Sequence, residues 1–344
     1  MKLKAAYFCV AALLLLCGCG AEVSLRKGDQ SYALGEYQEA AAKYKKAYAG
    51  ISSKEKELRG STAFKLGESY RHINYVPRAL AAYQNAVRYK YPDSIVYRHL
   101  ADMQRYSGKL KDAEKNYLIA LDYNPNDPLA QVGLESCHLI EEWKENPTRY
   151  TVKKDNIMNG RYADWSPVFA SAEYDQIIFT SCRNECTGDD INGITGMKSC
   201  DFFVIRKDDK GKWQKPEKIE GGPNTEFEDG SCSFSPDFRT MYYTYCPSDA
   251  QMPRPATIYE SSRSDAAWGS GHAYSSTSDT IYNYAHPAAS PDGKWLYFVS
   301  DMDGGYGGLD LWRVPVGGRL IGAENLGPDI NTPGNEMFAT IRRK

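Results

Sequence analysis

Histidine is scarce in this chain. His72, His99, His138, His272 and His286 are the five among 344 residues, and no two stand at the i, i+4 spacing that presents zinc ligands on one helix face. A Gly-x-Ser-x-Gly nucleophile elbow and a phosphate-cradling glycine loop are missing as well, which removes the motif routes to acyl transfer and nucleotide chemistry. An excess of one charge is missing too. Lys and Arg number 42 against 44 Asp and Glu, a net of -2, so nothing in the composition favours a phosphate backbone. No apolar run reaches the ~20 residues that span a bilayer; the candidate, Ala5 to Leu16, has 12. The acidic turns Asp189-Asp190-Ile191-Asn192-Gly193 and Asp301-Met302-Asp303-Gly304 offer oxygen ligands but complete no EF-hand loop. No catalytic residue, cofactor, metal site or nucleic-acid partner is therefore assigned.

What is present begins with a basic start. Met1-Lys2-Leu3-Lys4 carries two cations ahead of the uncharged stretch Ala5 to Leu16, the pattern of a secretory signal. It ends in Leu16-Cys17-Gly18-Cys19, which resembles the bacterial lipobox, where a small residue precedes the modified cysteine. Gly18 puts Cys19 in that place, and bulky Leu16 rules out Cys17. The resemblance implies a signal peptide over 1–18 and an acylated Cys19. Several acyl chains, at ~0.8 kcal/mol per buried methylene, hold in one leaflet where a single chain would not. Gly20, rather than Asp, in the next position implies the outer membrane, with the body lipid-anchored and facing the periplasm.

Behind the anchor, a mean hydropathy of -0.57 and 42% hydrophobic residues describe a water-facing body with material for two cores. Gly35–Ala47, Asn74–Ala86 and Gly108–Ala120 repeat one pattern. Ala40, Ala79 and Ala113 share one place, Tyr44, Tyr83 and Tyr117 another, and Ala47, Ala86 and Ala120 a third. The second and third copies are 34 residues apart, while the first two are 39 apart, which places a five-residue insertion near Gly50-Ile51-Ser52-Ser53-Lys54. Small residues at fixed points let paired helices approach closely, and Tyr91-Pro92 and Asn124-Pro125 stop the second helices. The pattern resembles tetratricopeptide repeats, with a capping helix from Asp127-Pro128 to about Glu145, giving a domain over 19–145. The resemblance implies a groove for a protein or peptide. Asp29, which follows Gly28 where carboxylate-clamping members of the family carry Asn, argues against an acidic ligand end.

After a linker over 146–159 the helical period vanishes and short Tyr- and Phe-rich runs replace it. Ser166-Pro167-Val168-Phe169, Ser235-Pro236-Asp237 and Ser290-Pro291-Asp292-Gly293 are read as equivalent turns, each leading into a buried strand. Asp201-Phe202-Phe203-Val204 and Asp310-Leu311-Trp312-Arg313-Val314 are third strands, and Trp213-Gln214-Lys215-Pro216 starts a fourth. These runs resemble WD40-like blades of the TolB (PD40) type over 160–344. Asn331-Thr332-Pro333-Gly334-Asn335-Glu336 parallels Asn224-Thr225-Glu226-Phe227-Glu228-Asp229 and begins another blade. The expected fold is therefore multidomain, α then β: an α-solenoid followed by an incomplete β-propeller of about three blades plus the start of a fourth. A ring needs at least about four blades, so truncation, or completion by another chain, is expected.

Lipobox, tetratricopeptide repeats and propeller in that order, with Gly304-Gly305-Tyr306-Gly307-Gly308-Leu309-Asp310-Leu311-Trp312, resemble the OmpA-family lipoproteins of Bacteroidota, some of which serve the type IX secretion system. That implies a non-catalytic scaffold with envelope proteins as partners. The family's regulatory-like and peptidoglycan-binding C-terminal domains have no counterpart in these residues, so peptidoglycan is a partner only if such a domain exists beyond them. The alternatives are a TolB-like periplasmic binding or sensing protein unrelated to type IX secretion, or a non-functional truncated fragment of a longer OmpA-family peptidoglycan-tethering protein. Export places the thiols in an oxidising compartment. Cys232 and Cys246 flank a hairpin and are expected to pair; in the preceding loop Cys182 is expected to pair with Cys200, with Cys186–Cys200 as second choice.

Overall fold

In a computed structural model of the chain, the described residues are 20–247, 255–264, 267–275 and 281–342. Cys19 lies outside them. The chain forms two compact units, residues up to 152 with 192–196, and residues 153–191 with 197–344.

Seven helices are described in the first unit. They are α1 (residues 20–33), α2 (Tyr37–Gly50), α3 (Lys56–His72), α4 (Val76–Arg88), α5 (Ile95–Tyr106), α6 (Leu110–Tyr123) and α7 (Pro128–Glu145). They alternate as first and second helices of repeated pairs. The repeated alanines and tyrosines of α2, α4 and α6 are all buried, with Tyr44, Tyr83 and Tyr117 among the largest fully buried side chains. Each such ring contributes roughly 2–3 kcal/mol by leaving water. Glycine in the facing helix makes the room, since a Cβ at Gly67 would lie 2.6 Å from Tyr83 Cε1. The five-residue insertion is spent partly on helix, with α3 running 17 residues against 12 for α5. Asp127 opens α7, its carboxylate accepting the Leu129 and Ala130 N–H groups ahead of an otherwise open end. α7 packs on the stack through Ala130, Gly133 and Cys137. It nevertheless leaves apolar residues of its own in water.

The second unit holds three four-stranded antiparallel sheets, each a meander in chain order. Sheet I is β1 (Asp164–Phe169), β2 (Gln176–Ser181), β3 (Asp201–Arg206) and β4 (Glu217–Lys218). Sheet II is β5 (Glu228–Phe234), β6 (Thr240–Cys246), β7 (Thr257–Ser262) and β8 (His272–Ala273). Sheet III is β9 (Tyr284–Ala289), β10 (Trp295–Ser300), β11 (Asp310–Pro315) and β12 (Glu324–Asn325). Their faces pack on one another. Phe202 and Val204 of sheet I meet Phe234, Met241 and Tyr243 of sheet II, and Tyr242 and Ile258 of sheet II meet Leu296, Phe298 and Trp312 of sheet III.

Every first strand carries a β-bulge at one equivalent place, and the bulged residue is left-handed without being glycine: Ser166 at φ 51°, Ser231 at 49° and His286 at 51°. The Ser231 N–H donates to Thr180 Oγ1 of the preceding sheet at 3.1 Å, and the His286 N–H to Thr244 Oγ1 at 2.8 Å. This register corrects the alignment of the three sheets. Ser166-Pro167 is not the turn of sheet I, because it sits inside β1 at the bulge. The equivalent turn is 171–175, where left-handed Tyr174 matches Phe238 and Gly293. Beyond sheet III, the sheet-II lead-in recurs. Asn331 bonds both the N–H and the C=O of Leu311, as Asn224 does Phe202, and Thr332 bonds Glu336 as Thr225 does Asp229. Phe338, at φ 56°, takes the bulge place. Among the described residues no sheet closes on itself.

Candidate functional site

In the helical unit the first helices share one face, which the repeat lays out in rows 34 residues apart. Ser61, Ile95 and Leu129 form one row, and Phe64, Arg98 and Val132 the next; Glu68, Asp102 and Ser136, then Arg71, Arg105 and Leu139, complete it. The acidic row is built by the buried tyrosines. Tyr44 Oη donates to Asp29 Oδ1 at 2.8 Å, Tyr83 Oη to Glu68 Oε1 at 2.5 Å and Tyr117 Oη to Asp102 Oδ1 at 2.5 Å, each pair 15 residues apart. Each acid also has a cation. Lys65 Nζ lies 2.7 Å from Asp29, Arg71 Nη2 2.6 Å from Glu68 and Arg105 Nη2 4.0 Å from Asp102. His99 Nδ1 of the following repeat lies 2.6 Å from Glu68 Oε1, and Arg98 pairs with Asp127 at 3.0 Å.

The electrostatics follow. Burial would raise the Glu68 carboxyl, but hydrogen bonding to His99, Arg71 and Tyr83 and the His99 charge outweigh it and hold the group down to about 2. Burial, and then the Glu68 charge, push the Tyr83 phenol far above its usual range. Asp29 accepts from Tyr44 and Lys65 rather than standing as an unpaired repelling charge. Sequence reading noticed Asp29 and passed over Glu68 and Asp102. The signal was there: both follow the small residue (Gly67, Ala101) at the place where Asp29 follows Gly28.

In the sheet unit a cavity of about 680 Å³ opens where the three first strands converge, lined by Trp165, Ser166, Ser231, Phe234, His286 and Phe338 among others. Phe338 stacks on the His286 imidazole at 3.9 Å and lies edge-on to Trp165 at 5.8 Å. Burial lowers His286 to about 4, so the ring is neutral. Its Nδ1 is buried and makes no hydrogen bond, so the acceptor that orients a catalytic imidazole is missing. Nearby acids are structural. Asp201 Oδ2 accepts from the Thr187 N–H at 2.6 Å and hydroxyl at 2.7 Å, and Asp229 Oδ2 from those of Thr225 at 2.6 and 2.8 Å. Burial raises both carboxyls, Asp229 to about 7. Among the described residues no group of three His, Cys, Asp or Glu side chains could hold a metal ion, and no helix is long and apolar enough to cross a membrane.

The cysteines divide. Cys182 and Cys200 are joined, Sγ to Sγ, at 2.00 Å. Cys186 is therefore not bonded to Cys200; its thiol donates to the Ser181 carbonyl at 3.0 Å, and burial pushes it up to about 11. The expected Cys232–Cys246 bridge does not form. Phe234 faces Met241 next to the turn, so Cys232 falls opposite Tyr243 while Cys246 falls opposite Glu228. Three residues of offset separate the two thiols by about 10 Å along the hairpin, against the ~5.5 Å between Cα atoms that a bridge requires. Cys137 is free and buried in α7.

No family model matches the chain, and no curated protein does. Solved structures resemble its helical part. The Arabidopsis OM64 TPR domain is 14% identical, covering 36% of this chain and 98% of its own at a TM-score of 0.32. The first TPR domain of human RPAP3 is 21% identical over 38% of this chain and 99% of its own, at 0.32. The Yersinia enterocolitica type III secretion chaperone SycD, in complex with a peptide of the translocator YopD, is 16% identical over 35% of this chain and 93% of its own, at 0.30.

Proposed function

We propose that this chain is a non-catalytic, lipid-anchored scaffold of the outer membrane that binds an envelope protein through its helical unit. The three sheets are read as successive blades of a WD40-like propeller. The observation that carries the reading is the ordered face of the first helices. Its acids are bound by tyrosines of the second helices and neutralised by cations, which gives a rigid, charge-balanced surface with no reactive group. Lipobox, repeats and blades in this order support an OmpA-family lipoprotein, with the PorE component of the type IX secretion system as the member it resembles. A photo-crosslinking residue at Ser61, compared with one at Tyr174 in the sheet unit, tests this in cells. The reading expects one discrete envelope-protein adduct from Ser61 that is lost in Cys19→Ala. Adducts from Tyr174 alone would move the binding site to the sheets, and unchanged fatty-acid labelling of Cys19→Ala would remove the anchor.

The cavity at the first strands favours a second reading, a TolB-like binding protein. Binding assays with envelope extracts on wild type and on Phe338→Ala separate the two, since only the second reading requires a wild-type ligand whose affinity changes when the cavity lining changes.

A further inference from the structure

The shared face of the first helices changes character at its last member. In α3 and α5 the third and fourth rows are acid and arginine, Glu68 with Arg71 and Asp102 with Arg105. In α7 the same places hold Ser136 and Leu139, between Leu129 and Val132 on one side and Trp143 on the other. At about 100° per residue these five fall in one stripe. Leu129 is 59% exposed, Val132 58% and Trp143 62%, and Tyr106, at the end of the α5 stripe, 57%. None of this surface is needed for folding, because α7 packs through a different face made of Ala130, Gly133 and Cys137. A helix that served only to close the stack would be polar here, as terminal caps of repeat proteins are.

The charges around the stripe indicate what covers it. Asp102, Arg105, Arg98 and Asp127 pair with one another and leave nothing for a charged ligand. On the solvent side the stripe is bordered by Glu135 and Glu142, seven residues apart, which are exposed and enter no ion pair among the described residues. We propose that this stripe docks a protein segment presenting aliphatic or aromatic side chains beside Lys or Arg. The inference rests on the reading of the helical unit as the partner-binding part and names the chemistry of that partner. Burial of the anchors in a desolvated centre supplies the affinity, and the two glutamates set orientation and reject acidic segments.

The test uses the whole chain and a displayed library of random 16-residue peptides, followed by affinity measurement on the winners. Enrichment of apolar residues at helical spacing next to Lys or Arg is expected. Val132→Glu should weaken the winners by about thirtyfold; Glu135→Lys with Glu142→Lys should weaken basic winners and leave uncharged ones unchanged. These sites are exposed, so an unchanged helical signal and melting point verify the fold of each variant. Winners that keep their affinity for Val132→Glu but lose it for Ser61→Glu overturn the stripe while sparing the helical unit. Winners that survive both changes overturn both readings, and acidic winners, or none, overturn the stripe. Two further results would also overturn it. One is binding of anionic vesicles that Val132→Glu abolishes, which makes the stripe a membrane surface. The other is a concentration-dependent dimer dissolved by the same change, which makes it a self-interface.

Discussion

Replacing Glu68 by glutamine isolates the central knot of the helical unit. The side chain is 12% exposed and gathers Tyr83, Arg71 and His99, all within 2.6 Å. Its carboxyl is held at about 2, down from 4.5. At 1.36 kcal/mol per unit that corresponds to about 3 kcal/mol, trimmed to about 2 for partial solvent access. Glutamine can keep one acceptor contact but leaves the guanidinium without its counter-charge. The equivalent changes provide an internal scale. Asp29→Asn breaks a pair whose members are 41% and 45% exposed and should cost under about 1 kcal/mol. Asp102→Asn, whose arginine stands 4.0 Å away, should fall between. Denaturant unfolding followed by the helical signal measures all three. The sign with pH is fixed: a carboxyl depressed in the fold stabilises above its unfolded value and loses that contribution as pH falls toward about 2. Wild type and Glu68→Gln should therefore converge in acid and differ most near neutrality. A Glu68→Gln loss no larger than that of Asp29→Asn, or a gap unchanged down to low pH, would refute the reasoning.

Other outcomes follow from single contacts. Gly67→Ala should cost about 1–3 kcal/mol despite alanine's better helix propensity, because its methyl meets the Tyr83 ring at 2.6 Å; the same unfolding assay reads it. Non-reducing peptide mapping should find Cys182 joined to Cys200 with Cys232 and Cys246 free, and Cys182→Ser should cost roughly 3 kcal/mol for an 18-residue separation. Burial raises Asp229 to about 7 from 3.8, so its protonated form is favoured in the fold and wild-type stability should decline as pH rises through that window. Asp229→Asn should flatten the decline, read by tryptophan fluorescence of the sheet unit; an equal slope in both proteins would contradict it.

The helical repeat was legible because its signals are local: small residues, one aromatic and a stop, at a fixed period. The tyrosine–carboxylate bonds were not, since they appear only when positions 15 apart in sequence are seen to meet across a helix pair, and the acid varies between Asp and Glu. In the sheets, third strands could be read from Asp-initiated aromatic runs. The first strand of sheet I was misaligned because Ser166-Pro167 mimics the Ser-Pro of the later turns, while the real turn, Ser171-Ala172-Glu173-Tyr174-Asp175, has no proline. The disulfide error has one cause. A hairpin's register is set at its turn, and with Phe234 opposite Met241 the residue facing Cys232 is Tyr243, three residues short of Cys246. The stripe on α7 was hidden by the expectation that a last helix merely covers the one before it.

The bulges also give the sheets an order in time. The N–H of Ser231 donates to the hydroxyl of Thr180, and that of His286 to the hydroxyl of Thr244, so the first strands of sheets II and III are each clipped to a residue made earlier in synthesis. A chain appearing N-terminus first meets both of these acceptors before the donors that use them. The place equivalent to Thr180 and Thr244 in sheet III is Val299, opposite Ala285 as Thr180 is opposite Trp165, and valine accepts nothing. Sheet III therefore offers no hydroxyl at the place where sheets I and II each hold the strand that follows them.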